Sequence, residues 1–142
     1  MFRKILFYSA LMALLLMPPL LYPAARLKVS GIPLIRGNIM IGVYKSQEDF
    51  KKKIDLKSYK VPVSDKQMIQ ELDELKPGWY MIAIYHDANS NAVMDKLFFG
   101  PPLEAYGFSN NARGFMGPAS FQDARFYYDG SDLELEINLG GL

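Results

Sequence analysis

The sequence predicts an all-β fold: an antiparallel β-sandwich of about seven strands with one long ordered loop, preceded by an N-terminal hydrophobic signal helix. Three observations carry this expectation. Apolar and polar residues alternate with period two, most cleanly in Leu133-Glu134-Leu135-Glu136-Ile137-Asn138-Leu139, which sends every aliphatic side chain to one face. The alternating segments are short and are separated by turn residues, without a sustained heptad or an internal repeat. The chain has 142 residues, a length that fits one domain better than two.

Arg3 and Lys4 precede an uncharged apolar run from Ile5 to Met17. Pro18, Pro19, Pro23, Ala24 and Ala25 follow before the next charge at Arg26. A basic start, an apolar run and small residues before a charge predict a secretory signal peptide over residues 1–25. The alternative is a retained membrane anchor, because 21 residues separate Lys4 from Arg26 and about 20 cross a bilayer. The three prolines count against a full-length helix, since each lacks an amide donor and clashes with the preceding turn. Residues 26–142 are then a single exported domain, periplasmic or secreted, that meets a membrane only through residues 1–25 if these are kept.

Within that domain, residues 27–30 alternate as a first strand, and residues 38–45 place Ile39, Ile41 and Val43 on one face of a second. Residues 47–53 fit one or two helical turns, with Phe50 and Ile54 facing inward. Residues 56–63 and 67–72 read as edge strands, Pro62 favouring an edge because it cannot donate to a ladder. Pro77-Gly78 predicts a type II turn. It feeds residues 79–86, which are apolar on both faces and so form a central strand. Residues 124–128 and 133–139 supply the last two strands. Between them and the central strand, residues 88–121 form a connection too long to be idle. Phe98, Phe99, Tyr106, Phe108, Phe115 and Phe121 give it enough apolar surface to fold back on the sandwich as an Ω-like lid.

Composition removes much chemistry. With no Cys there is no disulfide framework, thiolate metal site, lipid-modified Cys or Cys nucleophile. One His excludes intrachain sites that need two imidazoles. A formal net charge of +1 argues against nucleic acid as a partner. The charge is polarised: residues 26–66 carry 10 basic and 4 acidic side chains, and residues 67–142 carry 4 and 11.

The start of the long loop concentrates oxygen: His86-Asp87-Ala88-Asn89-Ser90-Asn91-Ala92-Val93-Met94-Asp95. Asp87, Asn89, Asn91 and Asp95 stand at relative positions 1, 3, 5 and 9, and Val93 at position 7 can offer its carbonyl. This is the spacing of an EF-hand-type loop, in which alternate residues turn inward to give Ca2+ six to eight oxygens at about 2.3–2.6 Å. Ala92 takes the place of the usual Gly at position 6, and Phe98 that of the bidentate Glu at position 12. A remote carboxylate, Glu104 or Asp123, would have to close the shell. The competing reading is an Asx-rich turn in which the same side chains bond their own backbone. His86, Tyr106, Phe108, Ser109 and Asn110 are expected to line a nearby binding surface for a protein or glycan partner in the cell envelope. The first reading is an exported noncatalytic β-sandwich module whose long loop, ordered by the ion, presents that surface. The catalytic alternative is an envelope hydrolase using His86 with a metal or with Ser109, although Gly107-Phe108-Ser109 is not a nucleophile elbow. A membrane-tethered accessory protein is the third reading.

The string His86-Asp87-x-Asn89-x-Asn91, then Asp95, Phe99-Gly100-x-Pro102-x-Glu104-x-Tyr106-Gly107-Phe108-Ser109-Asn110-Asn111, and Gly117-Pro118-x-Ser120-Phe121-x-Asp123-Ala124 resembles the bacterial domain-of-unknown-function family 2141. Upstream, residues 37–44, Phe50 and Leu75-x-Pro77-Gly78-x-Tyr80 match its first half. The resemblance spans residues 27–139. It implies a prealbumin- or immunoglobulin-like sandwich exported by gram-negative bacteria, with no established activity. It also makes Asp87, Asn89, Asn91, Asp95 and Glu104 the candidates for a shared site, and the chain departs from the family's pattern at Ala92.

Overall fold

The computed structural model describes residues 24–95 and 103–139. The signal peptide or anchor expected over residues 1–25 lies outside these residues apart from Ala24 and Ala25, as do Phe98 and Phe99 of the long loop. Among the described residues no helix is long and apolar enough to cross a membrane.

The fold is an all-β sandwich. Among the described residues eight strands run in the order β1 (Ala25–Ser30), β2 (Asn38–Tyr44), β3 (Lys57–Pro62), β4 (Met68–Leu72), β5 (Gly78–Asp87), β6 (Tyr106–Phe108), β7 (Phe126–Tyr128) and β8 (Leu133–Asn138). One sheet has the order β4-β1-β8; the other has β3-β2-β5-β6, with β7 also paired to β5. The strand expected at residue 27 begins at Ala25, which is buried opposite Leu72 and Leu133, so the folded domain starts inside the segment read as a signal peptide.

The core between the sheets is where the period-two pattern predicts it. Leu27 and Val29 of β1, Ile39, Ile41 and Val43 of β2, Tyr80, Ile82 and Ile84 of β5 and Ile137 of β8 form one buried cluster. β3 and β4 take edge positions as expected, with Pro62 closing β3. β5 is central and is covered on both faces from Tyr80 to Ile82.

The sheets are not wholly antiparallel. β1 and β8 run parallel, with Leu27 beside Leu135 and Val29 beside Ile137. Alternation fixes which face a residue takes but not the direction of its neighbour, so this pairing leaves no mark in the sequence.

Helix α1 (Gln47–Lys52) is capped by the Ser46 hydroxyl, which accepts from the Asp49 N–H at 3.0 Å. It ends at Lys53, in the left-handed conformation, and the reversal leaves Ile54 58% exposed instead of facing inward with Phe50. The type II turn expected at Pro77-Gly78 is absent. The chain reverses at Asp73-Glu74, with Glu74 at φ 56, and Gly78 is already the extended first residue of β5.

The long connection is more structured than a loop. It contributes β6, a 3-10 turn (Ser109–Asn111) and, at its end, α2 (Phe121–Ala124), capped by Ser120. Phe108, Ala119 and Ala124 close over Met81 on the outer face of the larger sheet, with Phe50, Tyr106 and Phe121 packed beside them. The expected folding-back holds for Tyr106, Phe108 and Phe121. Phe115 does the opposite and is 95% exposed.

Candidate functional site

β5 delivers two consecutive residues to opposite faces at the end of the sandwich. His86 continues the inward row of Tyr80, Ile82 and Ile84, while Asp87 points to the outer face beside Asn38. Both are buried, His86 at 1% and Asp87 at 0% exposure.

The Asp87 carboxylate organises the loop. Its oxygens accept from the backbone N–H of Asn91 at 3.1 Å and of Ala92 at 2.9 Å. The Asn89 side-chain oxygen accepts from the same Asn91 N–H at 3.2 Å, and that of Asn91 accepts from the Val93 N–H at 2.9 Å. These stacked Asx turns curl the chain around one side. The amide groups of Asn89 and Asn91 then donate to the Asp95 carboxylate at 2.6 Å and 3.0 Å. Ala92 at φ 60 adopts the left-handed conformation that a Gly at position 6 would take without steric cost.

Glu104 joins this loop from the middle of the connection. It is 8% exposed, and its two oxygens accept from the N–H groups of Ala88 at 3.2 Å and Asp95 at 3.1 Å. The Leu103 N–H donates to the Asp95 carbonyl at 2.8 Å, which fixes the two ends of the intervening segment together. Asp123, the other carboxylate considered for closing the shell, sits in α2 and accepts from the Ser120 hydroxyl instead. The side chains of Asp87, Asn89, Asn91, Asp95 and Glu104 are therefore brought to one loop, while Val93 is 60% exposed. Their oxygens are spent on backbone and amide hydrogens, and among the described residues no three ionisable side chains form a ready-made metal cage.

The local field is negative. Burial pushes the Tyr85 phenol above its usual pKa, and the carboxylates of Asp87, Glu104 and Asp95, with the Tyr44 phenol, push it the same way. None of the ion pairs among the described residues involves Asp87, Asp95 or Glu104.

His86 is held on two sides. Its Nε2–H donates to the Arg36 carbonyl oxygen at 2.7 Å, and its backbone N–H donates to the Ala105 carbonyl at 2.8 Å. The ring forms part of the wall of a cleft of about 740 Å³, with Leu34, Arg36, Asn89, Leu103 and Glu104. The cleft thus borders the Asp87 loop.

The binding surface expected from His86, Tyr106, Phe108, Ser109 and Asn110 is not one surface. Tyr106 pairs with Tyr85 and Phe108 with Ala83, so both lie on the outer face, opposite to His86. Phe108 and Ser109 are buried, and only Asn110 of the five is well exposed. Asn110 is occupied as a clamp, its amide donating to the carbonyls of Asp123 at 3.2 Å and Arg125 at 2.8 Å.

Ser109 is tied to backbone groups on both sides. Its hydroxyl oxygen accepts from the Ile82 N–H at 2.9 Å while its proton goes to the Ala124 carbonyl. It bridges α2 to β5 at Ile82, four strand residues and about 13 Å from His86. Ser109→Ala should therefore strand a buried Ile82 N–H and lower stability by about 1–3 kcal/mol, read as a shift in the urea midpoint. A melt unaffected by this substitution would contradict the bridging role.

Sequence reading missed Arg36, whose carbonyl orients His86, and Asn38, whose amide donates to the Ser90 hydroxyl at 3.3 Å and pins the loop to β2. The first acts through backbone and has no residue signature. The second had one, a polar residue opening a strand beside Gly37.

A family model described as "Uncharacterized protein conserved in bacteria (DUF2141)" matches residues 27–136. No curated protein and no solved structure matches the chain.

Proposed function

The chain belongs to the DUF2141 family of bacterial proteins, and on that premise we propose that it is an exported, non-catalytic β-sandwich module. In this reading the loop over residues 87–95 is a calcium-responsive clasp, and the cleft beside His86 is the binding surface that the clasp shapes. The export reading rests on the basic-then-apolar run of residues 1–25 and places the protein in the periplasm or outside the cell, where calcium is plentiful. The partner would be a protein or glycan of the envelope.

One observation carries the calcium reading. Asp87, Asn89 and Asn91 curl the loop through successive side-chain bonds to the backbone N–H groups of Asn91, Ala92 and Val93, with Ala92 left-handed at position 6. Such a loop already has its oxygen side chains at alternate positions on a tight curl, as a hard cation requires. Asp95 and Glu104 supply negative charge without a cationic side chain in ion-pair reach among the described residues. A calcium ion would displace the Asn89 and Asn91 amide hydrogens from Asp95 and be held there by Asp95, with the Asn side-chain oxygens, the Val93 carbonyl and Glu104 available to complete the shell.

The burial of Ser109, and its distance from His86, support a non-catalytic role. The test is the melting temperature in calcium against chelator, with Asp95→Asn as the comparison. Calcium should stabilise the parent and lose most of its effect in the variant.

A further inference from the structure

The stretch from Ala105 to Gln122 carries a single charge, Arg113, within a C-terminal half that is otherwise strongly acidic. Residues 114–118 within it form a tight, exposed turn. A Cβ on Gly114 would lie 2.2 Å from the carbonyl oxygens of both Gly117 and Pro118, so the chain folds back on itself there with no room for a side chain at Gly114. Phe115 and Met116 occupy the tip, 95% and 93% exposed, and Met116 is left-handed at φ 53.

Turn tips normally carry Gly, Asn, Asp or Ser, which satisfy local backbone or solvent. Here two large apolar side chains stand fully in water, next to a cation and with no acid among the flanking residues. The rest of the same segment packs: Ala112, Ala119 and Phe121 all belong to the outer cluster around Met81. Within residues 105–122 the large apolar side chains are exposed only at the tip.

We infer that the Arg113–Gly117 tip is an interfacial anchor that inserts Phe115 and Met116 into the surface of an anionic lipid bilayer, with Arg113 at the headgroups. Charge favours this occupant, because the tip carries a cation in an acid-free stretch of residues 105–122, on a domain whose 14 basic and 15 acidic side chains leave it close to neutral. Area favours it too. Two side chains of this size offer on the order of 400 Å², about half of what each partner contributes to a standard protein interface of about 800 Å² per side. A bilayer interface needs only a few apolar side chains with a flanking cation. The inference does not depend on the calcium reading.

The chain has no Cys, so Met116→Cys gives one labelling site. The full chain, labelled there with an environment-sensitive fluorophore, is mixed with vesicles of phosphatidylethanolamine and phosphatidylglycerol. A second protein labelled at Lys60→Cys, exposed on β3, controls for binding through the N-terminal segment. Insertion predicts brighter, blue-shifted emission at position 116 and none at position 60. Phe115→Ser should weaken the position-116 response about tenfold in apparent affinity, and Arg113→Gln should remove its dependence on anionic lipid. The melt should not change in any of these variants, because the side chains touch little of the fold. An unchanged spectrum at position 116 while the protein binds the vesicles would overturn the inference, as would a response confined to an added envelope protein.

Discussion

Asp87→Ala should lower the stability of the domain by about 3 kcal/mol. The carboxylate is fully buried and accepts from two backbone N–H groups, those of Asn91 and Ala92. Hydrogen bonds to a charged group contribute about 1.5–3 kcal/mol each, and the cost of burying the charge offsets part of that sum. For a domain of this size the loss corresponds to roughly 10 °C in melting temperature. Asp87→Asn keeps the shape and one acceptor, so it should fall between parent and alanine variant. The urea midpoint measures both. If Asp87→Ala melts with the parent, the carboxylate is not what curls the loop.

Gly37→Ala should cost a similar amount through a different cause. Gly37 sits at φ +69, and a Cβ there would lie 2.1 Å from the Asp87 carbonyl oxygen and 2.8 Å from the Ala88 Cα. The left-handed conformation costs an alanine about 1–2 kcal/mol, and pushing rigid backbone aside adds about 1–3 kcal/mol. The obstacle is the first residue of the candidate loop, so the damage should centre there. Hydrogen exchange should rise at Asn91, Ala92 and Val93 more than at Ile41 or Val43. Uniform change across β2 would mean that Gly37 does not position the loop.

The strands were legible because their cause is local. Leu133, Leu135, Ile137 and Leu139 fall on one face by alternation alone, and Pro62 marks an edge by what it cannot donate. β6 was not legible, since Tyr106-Gly107-Phe108 is too short to show a period and is recruited by pairing with β5. The reversal at Asp73-Glu74 was missed because the Pro77-Gly78 signal outweighs it locally, while the pairing of Gly78 with Tyr128 decides the conformation.

For the candidate site, spacing alone marked the loop whose side chains the fold brings together. Asp87, Asn89, Asn91, Asp95 and Glu104 do meet, even though Glu104 is remote in sequence. The residues expected to line one binding surface are divided between two faces. Tyr106 and Phe108 pair with the outward residues of β5, and register across β5 and β6 is not written in either strand. The neighbours of His86, the Arg36 and Ala105 carbonyls, are backbone atoms, so no side-chain pattern could have announced them.

If residues 87–95 respond to calcium, as proposed, the thermal melt of the full chain should differ between calcium and chelator. A ligand at 100 times its Kd that binds only the native state adds about 2.7 kcal/mol, or on the order of 10 °C here. The parent should show such a rise, not reproduced by magnesium, and Asp95→Asn a much smaller one. Identical melts in calcium and chelator for the parent would contradict it and leave the loop as an Asx-turn clasp that needs no ion.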